Sequence, residues 1–232
     1  IQKTLSHKST SKNKLVQMHW GPDTKYFDRI IAETNIDNKS HYFCSTGREN
    51  RDFPTLIQGF AELENSMLRI YTTKQHGKMN NEKLLLDYGD KYKNVEVYII
   101  ENTPNLNRFL SQEVYKSKCA VISCHEHNYT VGLTSLLEAM ALGKAVITSD
   151  NPYFPIDVEK EGIGIKVPYG NSNAWKKAVD FISQNPEICH EMGKKARIFI
   201  DEKCNSDILS YTVAKCLNDV AKRNVNLNIT NP

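Results

Sequence analysis

Three short stretches of this chain carry residue types that could do chemistry, and each follows an apolar run. STGRENRDFP (45–54) leaves one such run with Ser45, Thr46 and Gly47, then presents Arg48 and Arg51 just before a helix-like segment. Gly47 permits a tight turn. Two guanidiniums at the carboxyl end of a strand can clamp a diphosphate, because a planar fork of N–H donors matches phosphate oxygens. The same spacing also fits a solvated loop with two surface arginines.

The second stretch, NYTVGLTSLLEAMALGKAVI (128–147), opens a helix. Leu133, Leu136, Leu137 and Met140 recur at i, i+3, i+4 and i+7 and make its apolar stripe, with Thr134, Ser135 and Glu138 on the other side. The free N–H groups and dipole at such a helix start favour an anion. Gly132 lets a phosphate approach the backbone closely, and Glu138 could accept hydrogen bonds from ribose hydroxyls. An ordinary amphipathic helix with one exposed glutamate shows the same pattern. The third stretch, CHEH (124–127), holds metal-ligating residue types. They are too close together to surround one ion, and no partner pair stands at zinc-finger spacing. A loop that faces the ligand is expected there, and no metal.

Such loops need a scaffold, and the apolar pattern supplies one. Strands are expected at 41–47, 67–73, 95–100, 119–124, 144–149 and 162–167. Helices are expected at 52–64, 82–92, 105–117, 132–143, 172–184, 186–202 and 206–222. Runs such as CAVISC and KAVITS are near-continuously apolar, as in strands covered on both faces. Strand–helix alternation of this kind means a doubly wound parallel sheet, an α/β Rossmann-like domain over residues 41–222. Residues 1–40 read as a polar, flexible segment, then a short strand and Gly-Pro-Asp turn within LVQMHWGPDTKYF (15–27), together a linker; residues 223–232 read as a frayed tail. Open parallel sheets bind ligands beyond the carboxyl ends of their strands, where all three stretches lie.

The bulk numbers narrow the function. A net charge of +3 in 232 residues is too weak to argue for nucleic acid. Six cysteines without a Cys-x-x-Cys pair suggest free thiols in a reducing compartment, the cytoplasm. No apolar run is long enough to span a bilayer. Dinucleotide, Walker, nucleophile-elbow and zinc-protease motifs are all missing, which weighs against dehydrogenase, NTPase and hydrolase chemistry. The sequence opens on Ile1 rather than an initiator Met, which reads as a fragment.

Together, STGRENRDFPTLIQGF, LRIYTT and CAVISCHEHNYTVGLTSLLEAMALGKAVITSD resemble the C-terminal domain of family-4 retaining glycosyltransferases, over about residues 41–222. LLEAMALGKAVI is the most specific stretch, and HWGPDTKYF (19–27) is similar to the segment leading out of that family's N-terminal domain. The resemblance implies a GT-B fold whose C-terminal half holds a nucleoside-diphosphate sugar, a UDP- or GDP-sugar. It implies a diphosphate grip by Gly47, Arg48 and Arg51, with Arg51 in place of the more usual Lys. It implies donor contacts along Thr130, Val131, Gly132, Leu133 and Thr134, and a ribose contact by Glu138. The family's E-x7-E motif would place a first Glu at position 130, where this chain has Thr130. A Tyr-x-x-Gly-x-Thr lead-in like YTVGLT occurs in a subset of the family. The base is expected, less specifically, at the loop from Ile99 and Ile100 to Thr103.

The implied reaction transfers the sugar to a saccharide or lipid-linked acceptor hydroxyl with retention, in polysaccharide or glycoconjugate biosynthesis. It uses no cofactor and no metal. The acceptor half would precede Ile1, and the whole protein would work in the cytoplasm, with peripheral attachment at the inner membrane face as the alternative location. An epimerase using the same donor pocket and a non-catalytic nucleotide-sugar-binding module are the competing readings.

Overall fold

The structure is a computed structural model that describes residues 18–35, 42–76, 79–88 and 91–229. Among the described residues the first element is helix α1 (Thr24–Glu33), whose start is fixed by Asp23: the carboxylate accepts from the N–H groups of Lys25 at 3.0 Å and Tyr26 at 3.4 Å. There follow β1 (Tyr42–Thr46), α2 (Phe53–Phe60), β2 (Met67–Thr73), a two-residue hairpin of β3 (Gln75–His76) and β4 (Met79–Asn80), α3 (Glu82–Tyr88) and β5 (Val95–Ile100). The second half runs α4 (Leu106–Lys116), β6 (Cys119–Ile122), α5 (Leu133–Ala141), β7 (Val146–Ser149), β8 (Gly164–Val167), α6 (Ser172–Gln184), α7 (Pro186–Lys203) and α8 (Ser206–Ile229).

Six strands form one sheet in the order β5-β2-β1-β6-β7-β8, and every pair within it is parallel. The chain builds outward from β1 to β5, then returns to lay β6 on the other side of β1, with Phe43 opposite Cys119 and Cys44 opposite Ala120. That reversal is the topological switch of a doubly wound sheet, and a crevice opens beyond the carboxyl ends of the two strands that flank it. β6 and β7 are buried along their whole length, as their unbroken apolar runs require.

Two cores cover the two faces. On one, Leu136, Leu137 and Met140 of α5 pack with Ile122, Ile163 and Ile200. On the other, Phe53, Leu56 and Phe60 of α2 pack with Phe43, Ile147 and Trp175. Each large side chain removed from water this way contributes about 1.5–3 kcal/mol, so the two strands at the switch sit in the most heavily anchored part of the fold.

Several expectations need correction. The linker segment carries α1, with Phe27 and Ile30 buried in the first core. Of the strand expected in 15–27, residues 15–17 lie outside the described residues and 18–20 have no regular structure. Helix α8, expected to end at residue 222, runs on to Ile229. The expected flexible residues 1–14 lie outside the described residues, as do 230–232. α2 stops at Phe60 rather than at residue 64 because Asn94, buried beneath it, donates to the carbonyl oxygens of Phe60, Leu63 and Ser66 at 2.8, 2.9 and 3.1 Å. Those carbonyls bend the chain around one amide instead of continuing the helix.

Candidate functional site

A cleft of about 850 Å³ lies at the switch between β1 and β6. One wall is the loop after β1. Gly47 sits at φ 134° and Asn50 at φ 48°, which turns the chain so that Arg51 folds back over Gly47. A Cβ at Gly47 would overlap the Arg51 guanidinium, so only glycine fits. Arg51 is 6% exposed. Its Nε donates to Thr46 O at 3.3 Å, Nη1 to Cys124 Sγ at 3.1 Å and Nη2 to Ser135 Oγ at 2.8 Å. Backbone bonds from Asp52 N to Ser123 O and from His125 N to Asn50 O lace the same loop to the one after β6. The surface-loop alternative therefore holds for one arginine only. Arg48 is exposed and, among the described residues, bonds to nothing. Arg51 is a fixed charge that spans two loops and the start of a helix, with one further N–H on each Nη.

The opposite wall is the start of α5. Gly132 occupies the N-cap at φ 90°, and no side chain caps the helix. A Cβ on Gly132 would lie 2.9 Å from Ile122 Cγ2, 3.0 Å from Cys124 Sγ and 3.1 Å from Arg51 Nη1. The two glycines thus close on Arg51 from both sides. An uncapped helix start beside a held guanidinium attracts an anion through both its N–H groups and its dipole. Thr130, Val131, Gly132, Leu133 and Thr134 all line the cleft with Gly47, Arg48 and Arg51. Leu133 is only half-buried, in contrast to Leu136, Leu137 and Met140 of the same stripe.

Glu138 also lines the cleft. It is half-buried, and among the described residues no donor bonds to its carboxylate. Burial pushes its pKa up to about 7, and the charge of Arg51 works against that shift. Near neutrality the group is therefore divided between an acceptor-only carboxylate and a carboxylic acid that can also donate.

Ile99, Ile100 and Thr103 are not brought to the cleft. The residues just beyond them are: Pro104, Asn105, and Arg108 and Ser111 of α4 line it, with Trp20 ahead of α1 and Tyr26 within α1. The signal for Asn105 was present, since an Asn ahead of an apolar-periodic run marks a helix start. The signal for Trp20 and Tyr26 was not, because they reach the cleft only through the packing of α1 on α4 and α5. The CHEH residues diverge. Cys124 is buried, and its thiol accepts from Arg51 and donates to Val131 O at 3.7 Å. His125 and His127 are exposed, the latter edge-on to Tyr129. Among the described residues no group of three or more His, Cys, Asp or Glu is arranged to hold a metal ion, and no helix is long and apolar enough to cross a membrane.

An open six-stranded parallel sheet in this order, with a crevice lined by Arg48 and Arg51 at its switch point, defines a Rossmann-like α/β domain of the kind that forms the C-terminal half of GT-B glycosyltransferases. The chain belongs to the family described as Glycosyl transferases group 1, whose sequence profile matches residues 26–199. No curated protein sequence matches it. Among solved structures it is similar to a glycosyltransferase from Rickettsia africae ESF-5, at 14% identity and a TM-score of 0.74, covering 95% of this chain and 61% of that one. HepE from Anabaena, solved in complex with UDP-glucose, matches at 11% identity and a TM-score of 0.69, covering 94% and 61%. The C-terminal domain of a glycosyl transferase group 1 family protein, LpcC, from Francisella tularensis matches at 16% identity and a TM-score of 0.57, covering 80% and 100%. This chain thus spans 61% of the length of the first two of these proteins.

Proposed function

We propose that this domain holds the nucleoside-diphosphate sugar of a glycosyltransferase, and that the observation carrying the reading is the convergence of Arg48, Arg51 and the uncapped start of α5 on one cleft. The diphosphate would lie between Arg48 and the α5 amides, with Arg51 behind them as a fixed positive charge. Glu138, further along the same helix, would take the ribose hydroxyls. The base would lie toward Pro104 and Asn105. As the bond to the sugar breaks, negative charge grows on the leaving diphosphate, and the preorganised Arg51 and α5 amides oppose it without having to move, with Arg48 adding its charge from the exposed side. Guanidiniums and helix amides can do this work without a metal, so none is invoked. UDP-glucose bound to the Anabaena protein, on the same fold, supports a uridine-linked donor.

The full reaction would pass the sugar to a saccharide or lipid-linked hydroxyl held by an acceptor domain, and its retaining course rests on the family resemblance alone. Thr130, a neutral side chain in the cleft where that resemblance calls for a carboxylate, favours a second reading, a module that binds donor without turnover. Isothermal titration with UDP, GDP and ADP against their nucleosides tests the site. A diphosphate should bind far more tightly than its nucleoside, and Arg48→Ala should remove most of that difference. Equal affinity for diphosphate and nucleoside in the unsubstituted chain would refute the reading.

A further inference from the structure

Glu49 places a carboxylate in the cleft that holds Arg48 and Arg51, and a site meant only for phosphate would be better without it. It stands next to Arg48 and lines the same cleft. Yet among the described residues it makes no ion pair with Arg48 or with any other cation. Its fixed partner is instead neutral. Tyr129 Oη, eighty residues away, donates to Glu49 Oε1 at 2.6 Å and accepts from Asn50 Nδ2 at 2.8 Å.

The geometry around Tyr129 shows that the carboxylate is held in place. The phenol has one proton and gives it to Glu49; its lone pair goes to Asn50. Asn50 is the only described non-glycine residue at positive φ, a conformation that asparagine tolerates better than most. It is fixed there by the bond from His125 N to its carbonyl. Tyr129 is fixed in turn: Asn151 Nδ2 donates to its carbonyl at 3.0 Å, and the ring of His127 lies edge-on at 4.3 Å. The bond to Glu49 also pushes the pKa of the phenol up, which keeps it a donor. Tyr129 therefore sets one carboxylate, with Asn50, Asn151 and His127 holding Tyr129 in turn, and the second oxygen of Glu49 has no protein partner among the described residues.

A carboxylate accepts hydrogen bonds and cannot donate them. Beside a phosphate it repels; beside a cluster of hydroxyls it makes charge-assisted bonds, the strong class. The ligand that suits both Arg48 and Glu49 is an anion joined to a neutral polyol. We propose that Glu49, positioned by Tyr129 and Asn50, accepts hydrogen bonds from the hydroxyls of the sugar attached to the diphosphate, and so distinguishes a sugar-bearing nucleotide from the bare nucleoside diphosphate. The proposal rests on the donor-site reading given above and deepens it.

Titrating the 232-residue chain with UDP and UDP-glucose, and with GDP and GDP-mannose, tests it in the unsubstituted protein and in Glu49→Ala, Glu49→Gln and Tyr129→Phe. For the pair that binds, Glu49→Ala should weaken the sugar nucleotide about tenfold, the value of one bond to a charged group. The same change should leave the bare diphosphate unchanged or bind it more tightly, since a nearby negative charge is gone. Glu49→Gln keeps one acceptor oxygen and should fall between. Tyr129→Phe keeps the ring but frees the carboxylate, and should also narrow the preference for the sugar nucleotide. An unchanged ratio of the two affinities in Glu49→Ala, with both ligands still bound, would overturn this proposal and leave the donor site standing. Failure of the unsubstituted chain to bind either member of either pair would overturn both.

Discussion

Arg51 Nη2 donates to Ser135 Oγ at 2.8 Å, and that bond ties the loop after β1 to the first turn of α5 across the switch point of the sheet. The companion bonds to Thr46 O and Cys124 Sγ make the guanidinium a strut as well as a charge. The two arginines of the loop should therefore fail in different ways. Arg51→Ala removes three hydrogen bonds and leaves a void between Gly47 and Gly132, and should cost about 2–4 kcal/mol of stability. Arg48→Ala removes an exposed side chain with no protein partner, and should stay within about 0.5 kcal/mol of the unsubstituted chain. It should nonetheless lose about 1.5–3 kcal/mol of diphosphate affinity. Thermal melts and titrations of the two variants separate these effects. Equal losses of stability would show that Arg51 is not a strut.

The contrast between these arginines also marks how far the sequence could be read. Strands β2 and β5 and helix α6 fall at their expected bounds because short runs rich in β-branched and aromatic residues and a clean helical stripe are local properties. That a basic residue stands at the end of β1 is equally local. That Arg51 turns inward is not: it depends on Cys124 and Ser135, seventy-three and eighty-four residues away. Similarly, α1 was hidden because its capping Asp23 reads as part of a Gly-Pro-Asp turn, and its buried face, Phe27 and Ile30, shows only when the core is in place. The cleft is lined by Pro104 and Asn105 rather than by Ile99, Ile100 and Thr103 for the same reason. Periodicity locates the end of β5, while the packing of α4 decides which residues after it turn toward the ligand.

Gly132 offers a test of backbone geometry. At φ 90° an alanine is strained, and its Cβ would crowd Ile122, Cys124 and Arg51 at 2.9–3.1 Å. Gly170 supplies the control: it too has a positive φ, 65°, but a Cβ there meets nothing within 4 Å. Gly170→Ala should cost about 1–2 kcal/mol, the backbone cost alone. Gly132→Ala should cost clearly more in denaturant unfolding, and should abolish diphosphate binding because the methyl group occupies the approach to the helix amides. Similar losses for the two variants would mean that the space around Gly132 can relax.

The CHEH segment leads to a prediction about metal. Cys124 is occupied by Arg51 and the Val131 carbonyl, and its thiol pKa is raised by burial against the opposing charge of Arg51. A thiol in that state is a poor metal ligand, since binding needs the thiolate. Chelator should leave both the melting temperature and nucleotide affinity unchanged. A stoichiometric metal found by elemental analysis of the purified protein, together with loss of binding on its removal, would refute this.

Glu138 gives a prediction whose sign depends on pH. Its ordinary pKa of 4.5 applies in the unfolded chain, and burial raises it to about 7 in the folded one. Between those values the folded protein keeps a proton that the unfolded chain gives up, so stability falls as pH rises through the window. Below about pH 4.5 both states are protonated and nothing is lost; above about pH 7 both are ionised and the full penalty remains. At about 1.4 kcal/mol per unit the shift is worth on the order of 3 kcal/mol, and partial exposure of the group to solvent reduces this to about 1–2 kcal/mol. Glu138→Gln removes the titration. The variant should therefore melt a few degrees above the unsubstituted chain at pH 8, with the gap closing toward pH 5. Binding should move the other way. The carboxylate is the better acceptor for ribose hydroxyls, so the variant should bind UDP more weakly, and its preference for UDP over the 2′-deoxy nucleotide should narrow. A stability gap that does not change between pH 5 and pH 8 would show that Glu138 does not titrate in this window. An unaltered preference for the ribonucleotide would remove it from the ribose site.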